Sequence, residues 1–547
     1  MMLIESSLRT FGDAQACRLA NCPPLSYSHT PVSAHHDELS EVERTSYADD
    51  ELASLKKPFP TIQLTIIWLI QFTEPVTATV IYPFVNQFVQ ETGITRGDET
   101  KTGYYAGIIE SSFFFAELLS VYYWGSLSDR IGRRPVLILG PLGLVLAMLA
   151  FGLSHSFWTL VISRCAQGVF NGNIGVGKSM IVEITEPADV AYAFGWIPAV
   201  WSAGITLGPV IGGALARPAL RWPDVFGKFA LFHEYPYFLP CATAGAIAFV
   251  SYLYAYLFLR ESFPSATEQD IKRKTPGSYQ QSSALKADSA ASLLEHAEAN
   301  IDYGTRERNR QDESSQLANV TKFQPDDYKP PPFRSLLIRQ LLIPLLNTGF
   351  LAFLDQSFQV LVPLMFSTSI PLGGLGFDPF TIGMVMGTWG MLNAVFQVIA
   401  FARTMKWLGP RKMYIISFVC LLASFSGFPL MSLLAKRAGR VDAIVWFILL
   451  VQLCFYTVAF MSYGCIQLFV LDASPSRAAL GAVNGLAQMV SCTFRTLAPT
   501  TASSLFSVSL QSQLVGGYMV YAVLLAITLI GVATSFLLSP TFRNQGR

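Results

Sequence analysis

The apolar residues of this chain gather in long runs joined by short polar connections. A helix that crosses a bilayer needs about 20 predominantly apolar residues. Laid along the sequence, that length predicts six helices near 62–89, 103–124, 135–153, 157–181, 191–216 and 236–259. After a gap it predicts six more near 336–366, 379–402, 411–433, 442–470, 478–508 and 515–538. The expected fold is all-α and polytopic, with twelve transmembrane helices in two pseudo-symmetric six-helix bundles. The expected layout is a disordered tail at 1–60, a bundle at 61–260, a mostly disordered linker at 261–335, a second bundle at 336–539 and a short tail at 540–547. The linker reading rests on charge-rich stretches such as EQDIKRK and TRERNRQDESSQ with few large apolar residues. Within it, Ala284 to Asn300 could form a short surface helix.

Composition supports a membrane setting. The 547 residues are 52% hydrophobic and 14% charged, against roughly 25% charged in soluble domains. Mean hydropathy is +0.41. Many of the 31 prolines and 40 glycines lie inside apolar runs, where neighbouring helices can re-satisfy freed backbone groups. A net charge of +1 offers no electrostatic case for nucleic acid. The first 57 residues are polar with no apolar core, so no cleavable signal is expected and the first helix should direct insertion. Six of the eight cysteines sit in or beside apolar runs and read as small hydrophobes. Cys17 and Cys22 have the wrong spacing for a zinc half-site, and His29, His35 and His36 share their tail. No metal and no cofactor are expected.

Between the second and third predicted helices stands Gly125-Ser-Leu-Ser-Asp129-Arg130-Ile-Gly132-Arg133-Arg134. A tight glycine turn here carries a carboxylate among guanidinium groups. Asp129 is expected to bond backbone N–H groups at a helix start and to pair with Arg133. Such a cluster could latch two halves in one state and release them in another; the bland reading is a basic anchor loop. A worn echo, Met405-Lys-Trp-Leu-Gly409-Pro-Arg411-Lys412, follows the eighth helix without the aspartate and fits two repeated halves. The fifth helix carries Gly204, Gly208, Pro209, Gly212 and Gly213, small residues that let another backbone approach, with a bend at the proline. In the fourth, Gly172 to Ser179 matches the phosphate-loop pattern GxxxxGK[ST]. A working phosphate loop follows a strand, and an apolar helix precedes this one, so the match is a decoy.

Charges inside a membrane are expensive and mark function by default. Here they concentrate in predicted helices 1, 2, 4, 7 and 11. Gln71 and Glu74 share a face of the first helix, Glu110 and Glu117 one of the second, and Arg164, Asn171 and Lys178 one of the fourth. Asn347, Asp355 and Gln359 recur at multiples of four in the seventh; Asn484, Gln488, Ser491 and Arg495 share a face of the eleventh. Such stripes can line an aqueous path or merely glue helices together. Glu74 and Asp355 are the candidate proton carriers, Glu110 and Glu117 read as structural or gating, and Arg164 reads as the partner of an acidic residue.

The 125–134 segment resembles the signature loop GxLxDRxGRR of the major facilitator superfamily. Gly204 to Gly213 resembles the GxxxGPxxGG motif of its drug:H⁺ antiporter branch, and Arg164-x-x-Gln167-Gly168 its helix-4 motif. FTEPVTATVIYPFV (72–85), PYFLPC (236–241), FLDQSFQVLVPLMFST (353–368) and SPSRAALGAVNGLAQM (474–489) resemble fungal relatives of the plant zinc-induced-facilitator group. That resemblance implies helices 1, 4, 7 and 10 around a central cavity. Plant members of the group are linked to zinc tolerance through movement of chelators or other small ions. Two positions depart from the pattern: Ala498 precedes Pro499 where relatives usually show glycine, and Glu183-Ile-Thr-Glu186-Pro187 lacks a following arginine.

The basic residues of short loops nearly tie across the two sides, since AKRAGR (435–440) opposes DRIGRR (129–134) and RTMKWLGPRK (403–412). The resemblance places both termini and the linker in the cytoplasm, in a plasma or vacuolar membrane. The expected function is proton-coupled export of small organic molecules or chelates by alternating access, by a monomer whose partners are substrate, proton and lipid bilayer. The alternative is a transporter-like sensor that moves nothing. An ATP-driven pump would rest on the decoy alone, and no nucleophile–base constellation outside the apolar helices suggests an enzyme.

Overall fold

A computed structural model describes residues 60–186, 189, 193–194, 196–262, 338–474 and 480–539. Residues 1–59 and 540–547, the linker beyond Ser262 and the proposed surface helix at 284–300 lie outside the described residues. Each predicted span is helical. The first is α1 (Thr61–Thr79) and α2 (Val85–Glu91); then follow α3 (Thr102–Ile131), α4 (Arg133–Gly152), α5 (Phe157–Asn171) with α6 (Ile174–Ile184), α7 (Ile197–Leu215) and α8 (Phe238–Phe258). The second half holds α9 (Arg339–Ser367), α10 (Pro379–Leu408), α11 (Pro410–Ala438), α12 (Ala443–Phe460) with α13 (Ser462–Asp472), α14 (Leu480–Ser512) and α15 (Met519–Ser535). Three short helical turns lie between 218 and 234.

Among the described residues three spans are broken, each at or beside turn-forming residues. The first yields to a turn over Val80–Phe84, next to Pro83, five residues beyond the internal Pro75. The fourth breaks at Gly172 and Asn173, where the Gly172 N–H turns back to the Val169 carbonyl. The tenth breaks at Met461, beside Ser462, whose hydroxyl donates to the Ala459 carbonyl at 2.6 Å. Broken spans expose backbone only where protein or a cavity covers it.

Among the described residues, seven helical spans are long and apolar enough to cross a membrane, and α15 is apolar but shorter. Besides α15, the spans that miss the criterion are the first, second, fourth and eleventh. Those are the spans that carry Glu74, Glu110 with Glu117, Arg164, and Arg495. Most of α9 is buried, 20 of its 29 residues including Asp355, whereas α8, α10 and α12 expose Phe249, Tyr254, Val395 and Phe447 among many large apolar side chains. In water such a surface would be a liability; in lipid it is the expected exterior. Each half has its own apolar core, one around Val76, Phe88, Phe151 and Tyr237, the other around Phe358, Phe425, Phe428 and Tyr456.

The halves repeat one another in detail. Gly132 and Gly409 both adopt positive φ, +100° and +73°, at the turn before the third helix of each half. Two residues later, Arg134 donates to the Tyr256 carbonyl at 2.9 Å and Arg411 to the Phe536 carbonyl at 2.7 Å, each at the end of the sixth helix.

Candidate functional site

Close contact between the halves runs from one end of the molecule to its middle. This end carries the connections at 92–101 and 368–378, opposite the Gly132 and Gly409 turns. Gly213 lies against the backbone of Pro379 and Gly383, Gly390 against Thr206, and Gly103 and Gly107 against Ser503 and Pro499. Side chains bind across the same seam: Thr500 donates to Ser111 Oγ at 2.7 Å, Asn86 to Ser367 Oγ at 3.0 Å, and the Ser369 N–H to Glu99 at 2.6 Å. Arg221 lies 3.9 Å from Asp378 and stacks on Phe380 at 3.4 Å. Gly204, Gly208 and Gly212 instead meet Pro75, Thr79 and Val80 of their own half. The glycine run thus serves two faces, with Gly213 and the Pro209 carbonyl on the seam. Pro209 is buried within α7, and its carbonyl meets Gly383.

At mid-depth the polar groups converge. Asp355, 4% exposed, accepts from Tyr456 at 2.6 Å through one carboxylate oxygen. Its other oxygen accepts from Tyr463 and Gln359, both at 2.8 Å. The two tyrosines stand on either side of the Met461 break, and Tyr456 is held by stacking on Phe358 and Trp389. Tyr463 also accepts a hydrogen bond from Arg495. In the first half, Asn171 donates to Glu74 at 3.1 Å. Glu117 lies beside both of them, with Lys178 in electrostatic range. Arg495 is the shared element: it acts electrostatically on Glu74 and Glu117 of one half and on Asp355 of the other. Its guanidinium lies 5.6 Å from the Trp201 ring, and its Nε is buried without a partner.

Other predicted residues go elsewhere. Arg164 is fully buried and donates to Glu110 at 3.2 Å, to Gln167 at 2.7 Å and to the Ala78 carbonyl at 3.0 Å. It is the partner of an acidic residue, and the Glu110 pair pins α5 to α3. Glu117, read as structural or gating, instead joins the central cluster. Asn347 does not face Asp355: its amide bonds Thr534 of α15 and the Ile343 carbonyl. Gln71 shares a small cavity with Glu74.

The signature loop needs one correction. Asp129 lies in the last turn of α3 and pairs with Arg133 at 2.6 Å, as expected. The free N–H groups of Arg133 and Arg134 at the start of α4 are capped by Glu261, at 2.8 and 3.0 Å, not by Asp129. Arg133 also meets Glu183, which accepts from Ser262 at 2.6 Å. Gly125 and Arg130 lie in the last two turns of α3, with Arg130 exposed.

The sequence profile of the Major Facilitator Superfamily matches residues 67–499. The chain belongs to this superfamily. It is 29% identical to the Major facilitator superfamily multidrug transporter mfsB of Aspergillus fumigatus, covering 85% of this chain and 81% of that one. It is 26% identical to Protein ZINC INDUCED FACILITATOR 1 of Arabidopsis thaliana, covering 89% and 93%. Among solved structures, that of a D-xylose-proton symporter covers 89% of this chain and 99% of its own at a TM-score of 0.61 and 14% identity, a likeness of fold. The protein is therefore an integral, multi-pass membrane transporter of the superfamily and not an enzyme. The GxxxxGKS stretch is helix α6 and its flanking turn, confirming the decoy.

Sequence reasoning did not single out Tyr456, Tyr463 or Glu261, and noted Arg495 only as part of a stripe. Tyrosines in a long apolar run read as apolar filling, and Glu261 reads as the first residue of a charged linker. Arg495 stood out only as the single formal charge in its span.

Proposed function

We propose that this transporter exports small organic molecules or chelates in exchange for protons, with Glu74 and Asp355 as carriers. The observation that supports it is Arg495, one cation within reach of carboxylates from both halves. A buried carboxylate beside a cation is held charged, and one that loses its cation is neutralised by a proton. When the halves tilt, Arg495 cannot keep both sets of partners. Separation therefore exchanges a cation for a proton at one carboxylate, and access to substrate changes with it. The superfamily's alternating access supplies the motion, and the closed seam described above is one of its two end states. The bundles at 61–260 and 336–539 act as the moving bodies. Both termini and the linker face the cytoplasm, in a plasma or vacuolar membrane. A single chain supplies every group at the site, so the monomer is the working unit.

The test uses full-length protein in proteoliposomes with an imposed pH gradient, screened with fluorescent organic cations, organic anions and a metal chelate. Glu74→Gln and Asp355→Asn should each abolish gradient-driven accumulation while leaving energy-independent exchange. Wild-type pH dependence in either variant refutes that residue as a carrier, and in both it refutes the assignment.

A further inference from the structure

Glu74 has a second neighbour besides Asn171. A cavity of about 10 Å³ lies between α1, α4 and the broken fourth span. It is bounded by Gln71, Glu74, Pro141, Asn171, Asn173 and Gly177. Gln71 is 6% exposed and Asn173 4% exposed. Both amide atoms of Gln71 and the Nδ2 of Asn173 have no protein partner. Each buried polar atom left unmet costs about 1–3 kcal/mol, so three together at one cavity point to a ligand.

The size and the chemistry select that ligand. A cavity holds a water when it offers about 10–15 Å³ to a water-sized sphere and two to four polar partners. This one is at the lower bound, too small for any organic substrate. A metal cation would want oxygen acceptors on all sides, but Gln71 Nε2 and Asn173 Nδ2 present N–H donors. Water both donates and accepts: it can take the two amide N–H groups and give to Gln71 Oε1 and the Glu74 carboxylate. Two backbone features hold the site open. Pro141, which has no N–H to bond the preceding turn, sits inside α4 beside it, and the break at Gly172–Asn173 turns the Asn173 side chain against Gly140.

We propose that this cavity is a built site for one water molecule, which is the immediate proton donor and acceptor of Glu74. The inference rests on Glu74 being a carrier. A proton reaching the site as hydronium passes to a Glu74 oxygen and leaves neutral water; release runs the reverse. The charged groups facing Glu74 are Glu117 of α3, Lys178 of α6 and Arg495 of α14. The water lies between α1, α4, α5 and α6, and Arg495 is not among the residues that bound it.

Time-resolved infrared spectroscopy after a pH jump tests it on the full-length protein, with the Glu74 carboxyl band assigned by difference against Glu74→Gln. Gln71→Met removes both amide atoms at similar volume. It should slow protonation of Glu74 at least about a hundredfold, the usual scale of a positioned proton-transfer group. Gln71→Asn keeps an amide and should restore most of the rate. An unchanged rate in Gln71→Met, with the Glu74 band still titrating, overturns the water site and leaves the carrier reading standing. Absence of any titrating Glu74 band in wild type overturns the carrier reading itself. Independently of any variant, a wild-type map that resolves waters should show a peak within hydrogen-bonding distance of Gln71 and Asn173. Side chains packed together with no peak overturn the proposal.

Discussion

Alanine at position 213 would place a methyl group into the seam between the halves. An added Cβ would lie 2.5 Å from the Pro379 carbonyl oxygen and 2.8 Å from the Gly383 Cα. Carbon atoms settle at about 3.5–4.0 Å, so one helix must retreat by about 1 Å. Both obstacles are backbone, and no rotamer change relieves them. Overpacking of this kind costs about 1–3 kcal/mol. Here the cost falls on the closed state alone, because the seam opens when the halves part at that end. The same energy therefore shifts the two-state balance about 5- to 150-fold toward the opposite state. Spin labels on Arg96→Cys and Pro371→Cys, in a background without native cysteines, report the distance across this end. Gly213→Ala should add a longer-distance population that is minor in the parent. Gly212→Ala is the control: its methyl strikes the Val80 carbonyl within the same half, so it should lower stability without changing the distance distribution. An unchanged distribution in Gly213→Ala refutes the seam as the element that closes.

Three further outcomes are expected. Glu110→Leu or Arg164→Met alone strands a buried charge or partner and should cost about 3–5 kcal/mol in denaturant unfolding, while the double variant should return to within about 1 kcal/mol of wild type; equal losses in all three remove the pair's role. Glu261→Ala uncaps two N–H groups at the start of α4 and should cost about 1 kcal/mol in thermal stability, with no loss meaning that the carboxylate is ornamental there. Gly140→Ala drives a methyl into the buried Asn173 amide and should cost about 1–3 kcal/mol by the same unfolding measurement; wild-type stability would show that the fourth span yields freely at its break.

Helix positions were legible because lipid imposes a length, and length is visible in an apolar run. Breaks within the spans were harder. The turn at Val80–Phe84 interrupts a run that stays apolar throughout, with Pro83 as its sole mark, and the break at Met461 is marked only by Ser462 and Gly464 in an otherwise apolar stretch. The Asn347–Asp355–Gln359 stripe shows why face arguments fail over distance. At 3.6 residues per turn each step of four rotates by about 40°, so Asn347 sits roughly 80° away from Asp355. Its amide accordingly turns to Thr534. Arg164, Asn171 and Lys178, seven apart, drift by only about 20° per step. Asn171 and Lys178 do both reach Glu74, although the helix breaks between them. The central cluster itself draws on both halves, and a contact made across a seam leaves no local pattern.

The paired arginine clamps, Arg134 on Tyr256 and Arg411 on Phe536, tie the third helix of each half to its sixth at one end. Each half is stiffened there as a beam would be by a tie-rod. With Gly213 and Gly383 pressed together at the far end, the arrangement has the mechanics of a pair of tongs. On the proposed rocking of the halves, a small give at that grip would become a larger sweep at the tied ends, carried by tilting of two stiffened bodies rather than by bending of any single helix.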